Sequence, residues 1–251
     1  CYHARLISGA RITMSKLYCV VLLALGAWMP CAQAASVLFL NPGTSKEIFW
    51  VSYSQFMQAA AKDLGMDLKI LYSERQPQLN LQQAREALQG PDRPDYLVFV
   101  NEQYVAPEIL RLSQGSGVKL FIVNNSLTAD QTRLLGDLES KYPDWLGSLV
   151  SNDEEGGYLM LKELIRKHPR VAKGQTIELL AFSGLKITPS AQLREKGMMR
   201  ALAEHPEVRL RQLVYGAWTH ERAYEQARLL FKRCAGGSLR WALSGELAFG
   251  A

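Results

Sequence analysis

The sequence predicts an α/β protein of two similar lobes, each a parallel sheet flanked by helices. Two observations predict it. Short runs of Val, Ile, Leu and Phe alternate with longer amphipathic stretches from residue 36 onward, and strands that are apolar on consecutive residues belong in parallel sheets covered on both faces. That grammar also runs through the chain twice, with no low-complexity linker between the two passes.

The first strand is the run Val37-Leu38-Phe39-Leu40, which enters the turn Asn41-Pro42-Gly43-Thr44-Ser45-Lys46-Glu47 and meets Phe49-Trp50 at the head of a helix. The helix is expected over 51–64, with Phe56, Ala60 and Leu64 at four-residue spacing and Gly65 at its end. A second strand follows over 68–72. Asn80 is expected to cap a helix that runs to Leu88 and breaks at Gly90-Pro91, a third strand spans 96–100, and a short helix follows Pro107. Gly117 precedes a strand over 118–123 that ends in Asn124-Asn125, and 147–150 forms one more short strand. The second pass reads as helix 153–167, strand 176–182, helix 189–203, strand 208–215, helix 220–231 and strand 239–243. The boundary falls near residues 148–152, which gives lobes of 35–151 and 152–251.

Ahead of the first strand, Met14 and Lys16 precede an apolar run over 17–29, then Pro30 and Ala32-Gln33-Ala34, with small residues where a signal peptidase needs them. This reads as an export signal over 14–34, with residues 1–13 upstream of the natural start. A retained membrane anchor needs about 20 apolar residues, more than this run offers. Removing 34 of the 251 residues leaves 217, enough for two lobes. Arg5, Arg11 and Lys16 go with them and no acidic residue does, so the formal charge falls from +5 to +2. That balance implies no nucleic-acid partner. Of four cysteines only Cys234 remains after cleavage, so the mature chain holds no internal disulfide, and export without disulfides fits a bacterial periplasm.

The sequence lacks a phosphate loop ending in Gly-Lys-Ser/Thr, a dinucleotide Gly-x-Gly-x-x-Gly, a His-Glu-x-x-His pair and a Gly-x-Ser-x-Gly elbow. It is therefore read as no enzyme, with neither cofactor nor metal. His168 and His205 each precede a proline at a helix end and read as solvated caps. Cys234 reads as a small apolar residue, and Asp153-Glu154-Glu155 as an acidic helix start that suits the helix dipole. What remains gathers at strand ends: Phe49 and Trp50 after the first strand, Asn124 and Asn125 after the fourth, Arg194 early in a helix, and Trp218 past the strand ending at Tyr215. Carboxyl ends of parallel strands face the ligand crevice. Aromatic faces complement the C–H faces of a sugar ring, and Arg and Asn supply donors in fixed geometry. Singly, Phe49 also reads as a core plug, Trp218 as lobe packing and Arg194 as a surface ion pair; their joint placement points to a ligand.

These residues resemble the type I periplasmic binding proteins of sugar transporters, the ribose-binding proteins above all. Phe49-Trp50-Val51-Ser52 is similar to that family's paired aromatics, and Ser151-Asn152-Asp153-Glu154-Glu155-Gly156-Gly157 to its crossover into the second lobe. Ser190-Ala191-Gln192-Leu193-Arg194-Glu195-Lys196-Gly197 resembles the helix that carries its ligand-binding arginine, and Gly216-Ala217-Trp218-Thr219-His220-Glu221-Arg222-Ala223 the segment with a further aromatic wall. Residues 242–251 look like its Asn-Asp-x-x-Ala-x-Gly-Ala helix start. The resemblance implies a hinged, monomeric receptor that closes on a small sugar-like ligand and delivers it to an inner-membrane permease. Phe49, Trp50 and Trp218 would wall the ligand and Arg194 would clamp it. Asn124 and Asn125 stand where ribose binders have Asp and Arg, Glu47 stands where an Asn contacts sugar, and Ser244-Gly245 replaces Asn-Asp. These departures lead away from an ordinary pentose or hexose, because an unmatched buried polar group costs roughly 1 to 3 kcal/mol. The family continues past the helix that starts near Glu246, so the second lobe is expected to be incomplete, with an unpaired sheet edge. Two alternatives stand beside the importer receptor. One is a periplasmic ligand-sensing subunit for a membrane histidine kinase, and the other is an exported enzyme on an α/β sheet.

Overall fold

The computed structural model describes residues 34–169, 172, 174–234 and 239–244, the last strand and Cys234 by backbone alone. Residues 14–33 of the expected export signal lie outside the described residues. The chain forms β1 (Ser36–Asn41), α1 (Ile48–Asp63), β2 (Asp67–Tyr72), α2 (Pro77–Gln89), β3 (Tyr96–Phe99), α3 (Ala106–Ser113) and β4 (Lys119–Asn124). The short helices α4 (Ala129–Leu135) and α5 (Leu138–Lys141) lead to β5 (Trp145–Val150). These five strands pair in parallel in the order β2-β1-β3-β4-β5. A second, shorter parallel sheet follows, built from α6 (Asp153–Lys167), β6 (Ile177–Ser183), α7 (Pro189–Glu204), β7 (Val208–Tyr215), α8 (His220–Cys234) and β8 (Leu239–Ser244), in the order β7-β6-β8. Both sheets reverse direction at the same point: β2 and β3 flank β1, as β7 and β8 flank β6. Such a reversal opens a crevice at the strands' carboxyl ends.

The continuous apolar strands serve two faces at once. Leu38, Leu40, Leu97, Phe99, Leu120 and Ile122 pack against α2 and α3, while Phe39, Val98, Val100 and Val123 meet α1 on the other side. In the second sheet Leu179 and Ala181 face α6 and α7, and Leu180 and Phe182 face Leu230 of α8. No helix among the described residues is long and apolar enough to cross a membrane.

Three expectations are corrected. The face of α1 that meets the sheet is Trp50, Ser54 and Ala61, joined by Tyr53 and Met57; Phe56 and Leu64 are 75% and 69% exposed. The 3.6-residue period admits either stripe, and small Ser54 and Ala61 let the helix lie close to the strands. Phe56→Ser is accordingly expected to change stability by no more than about 0.5 kcal/mol in thermal denaturation. Asn80 does not cap α2, which starts at Pro77; it is buried in the helix and donates to the Ser73 hydroxyl at 2.8 Å. His168 closes α6 as a buried residue, not a solvated one.

The contact between α6 and α7 depends on two glycines. A Cβ on Gly157 would stand 2.1 Å from the Arg194 carbonyl oxygen, and one on Gly197 would stand 1.8 Å from that of Glu154. The two backbones cross at this point, which sets where Asp153 and Arg194 meet.

Candidate ligand site

Among the described residues, seven non-glycine residues have positive φ: Glu74 and Arg75 after β2, Gln103 and Tyr104 after β3, Asn124 at the end of β4, and Ala217 and Trp218 after β7. All lie at the carboxyl ends of strands. Such conformations cost of order 1–3 kcal/mol each and persist where the surroundings fix them, typically at binding sites.

On the first sheet the site is built upward from Asn41. Its side chain accepts from the Gly43 amide (2.9 Å) and donates to the Trp50 carbonyl (3.1 Å) and the Ser54 hydroxyl (2.9 Å), which ties the turn to the head of α1. Trp50 lies in the core, 2% exposed, over Gly43, where a Cβ would meet the indole at 2.0 Å. Phe49 packs edge-on against it, with ring centres 5.0 Å apart, and is half exposed. Of the expected aromatic pair, Phe49 is therefore the one that reaches the surface. Glu47 forms a two-point pair with the Arg75 guanidinium, which also donates to Glu102 at 2.8 Å. Glu102 donates nothing and accepts again from the Asn125 amide at 3.3 Å. Burial pushes its carboxyl above the usual carboxylate range, Arg75 opposes that shift, and Glu47 adds to it. Asn125 is buried, and its carbonyl accepts from the Ser190 backbone amide at 3.1 Å. Asn124 is part-exposed and makes no hydrogen bond through its side chain with a described residue.

On the second sheet, Arg194 donates through Nε to Asp153 (2.7 Å), which is almost fully buried and also accepts from Ser151 (3.0 Å). The guanidinium lies 5.8 Å from the Trp218 ring, within cation–π range. Its two terminal nitrogens have no hydrogen-bond partner among the described residues. Trp218 fits because the site opposite is Gly184, where a Cβ would meet the ring at 2.2 Å. Beneath them Glu195 accepts from Ser183 (2.6 Å) and Tyr215 (3.2 Å), which pins α7 to β6 and β7. Burial and the Glu195 charge raise the Tyr215 phenol. Together Phe182, Ser183, Gly184, Arg194, Glu195 and Trp218 line much of an open recess. Ser244 stands at the end of β8, in register with Phe182, and residues 245–251 lie outside the described residues. No group of three His, Cys, Asp or Glu that could hold a metal ion occurs among the described residues.

Sequence reasoning missed Arg75 and Glu102, and it read Asp153 only as a helix start. The available signal was position: each directly follows a strand or opens the helix beside Arg194.

The chain is similar in structure to known proteins over most of its length. A periplasmic sugar-binding protein from Pseudomonas fluorescens is similar at 64% identity and a TM-score of 0.75, covering 84% of this chain and 60% of that one. In fold, the chain matches the periplasmic sugar-binding proteins. The same fold appears in a galactofuranose-binding protein, at 15% identity, a TM-score of 0.69 and coverage of 84% and 66%. It appears again in the binding component of an arabinose ABC transporter from Shewanella sp. ANA-3, solved with α- and β-L-arabinofuranose, at 19% identity, a TM-score of 0.70 and coverage of 86% and 67%. No protein-family model matches the chain, and no curated protein sequence matches it. The chain spans 60% of the length of the Pseudomonas protein.

Proposed function

We propose that the chain is the ligand-holding part of a periplasmic receptor, non-enzymatic and exported through its N-terminal signal, which captures a sugar or sugar-like molecule for an ABC importer. One observation carries the reading. In the recess Arg194 is fixed by Asp153 through Nε and lies beside Trp218, with both terminal nitrogens unused by described residues. An arginine held in this way offers two parallel donors to vicinal oxygens, while the indole takes an apolar sugar face. The identity with the Pseudomonas sugar-binding protein supports the ligand class, and the two furanose-binding fold neighbours recommend furanoses for the first panel.

In this reading Phe49, Asn124, Arg194 and Trp218 touch the ligand, and Ser244 meets it from β8. Glu47 and Asn125 act through their partners, and Trp50 supports Phe49 from behind. The protein works as a monomer with an inner-membrane permease. Titration of the full chain with furanose and pyranose sugars, followed by tryptophan emission, is expected to give saturable binding. Arg194→Ala should weaken it roughly tenfold to a hundredfold, since hydrogen bonds to charged groups contribute about 1.5–3 kcal/mol. Silence across the panel, or an Arg194→Ala affinity equal to wild type, would overturn the proposal.

A further inference from the structure

The N-terminus of α7 is capped from the other sheet. Ser190 is the second residue of the helix, so its amide has no intrahelical acceptor. The N-cap residue, Thr188, makes no side-chain cap and spends its hydroxyl on the Leu185 carbonyl. The Ser190 amide donates instead to Oδ1 of Asn125, 65 residues earlier and just past β4. Only one orientation of the Asn125 amide suits this place, because turning it over would set its NH2 against the Ser190 N–H. The other end of the amide meets Glu102, whose ionised carboxylate can only accept. Glu102 therefore selects the orientation that caps α7.

We propose that Asn125 is a latch between the two lobes, engaged while Glu102 is ionised and released when Glu102 takes up a proton. A protonated Glu102 can donate to Asn125 Oδ1, which turns the amide and presents a donor to Ser190. The groups that face Glu102 are Arg75 from the loop after β2, Glu47 from the loop before α1, and Asn125 from the loop after β4. The first turn of α7 brings no acidic group. Burial favours the protonated acid, so release falls at a higher pH than an exposed glutamate would set. The sign separates release from unfolding. A carboxyl whose folded-state pKa is raised binds its proton more tightly in the folded protein, so stability from this group increases as pH falls through that value. Arg194 lies one turn beyond Ser190, so the latch also fixes the helix that carries the proposed clamp, but its test needs no ligand.

Hydrogen exchange of the Ser190 amide, measured by NMR on the full chain without ligand and divided by the intrinsic rate at each pH, reads the latch directly. Near neutral pH the expected protection is about tenfold over Asn125→Ala, the worth of one buried hydrogen bond. It should vanish on acidification while circular dichroism stays native. In Glu102→Gln, a neutral mimic of the protonated acid whose single amide oxygen is taken by Arg75 and whose NH2 faces Asn125, protection should be low at neutral pH and should no longer vary with pH. Should that variant fail to fold, the wild-type protein gives the same answer, because loss of protection and the ¹³C titration of the Glu102 carboxyl must share a midpoint. Equal protection in wild type and Asn125→Ala, an unchanged pH profile in Glu102→Gln, or separate midpoints would each overturn the proposal.

Discussion

Trp50→Ala is expected to destabilise the protein by about 4 kcal/mol, a fall in Tm of roughly 8–16 °C for a chain of this size. The indole is 2% exposed and packs with Phe39, Val98, Val100 and Val123 on the α1 side of the first sheet. Its own backbone carbonyl is held by Asn41, and Gly43 leaves the space its ring fills. Truncation would open a cavity bounded by residues that are themselves held by strand pairing and cannot close over it. Phe49→Ala, by contrast, removes a half-exposed ring whose described ring contacts are edge-on to Trp50 and tilted to Tyr53, and should cost about 1 kcal/mol. If both residues walled a ligand, the two variants would melt alike and differ only in affinity. Thermal denaturation of the pair, monitored by circular dichroism, decides between these outcomes.

The contrast shows where sequence reasoning held and where it failed. Strand positions were legible because central parallel strands buried on both faces leave apolar runs: β3 spans Tyr96–Phe99 and β6 spans Ile177–Ser183, within a residue of the ranges that patterning gives. The helices α4 and α5 were not legible. Their 7 and 4 residues are too few to show a period, and α4 is set by a capping box at Thr128 and Gln131. The buried face of α1 was misread because an aromatic at Phe56 outweighs Ser54 in any hydrophobicity count, although closeness to the sheet favours the smaller side chain. In the recess, Trp218 was legible by its place after β7 and Arg194 by its place early in α7. The chain of Glu47, Arg75, Glu102, Asn125 and Ser190 was not, because it exists only once β2 and β3 lie on either side of β1 and α7 reaches the end of β4. Pairwise spacing along the sequence carries no trace of that arrangement.

Neighbouring glycines in α6 and α7 give the second large effect, and their signs differ. Glycine in a helix ordinarily costs stability relative to alanine, so a permitted Gly→Ala change stabilises by about 0.4–1 kcal/mol. Gly156 meets nothing within 4 Å of the position a Cβ would take, and Gly156→Ala should show that gain. Gly197→Ala should do the reverse and cost about 3 kcal/mol, because its methyl would stand 1.8 Å from the Glu154 carbonyl oxygen and 2.7 Å from the Tyr158 amide nitrogen, both backbone atoms that no side-chain rotation can move. The helices would have to separate. That shift would stretch the Lys196 and Arg200 pairs to Glu154, which are exposed and contribute little. It would also draw Arg194 away from Asp153, leaving a buried carboxylate without its partner and the guanidinium without its orientation. Stability and sugar affinity are therefore expected to fall together in Gly197→Ala and to be preserved together in Gly156→Ala. Urea denaturation and ligand titration of the two variants measure both. An equal response of the two positions would mean that the close crossing of α6 and α7 does not set the recess.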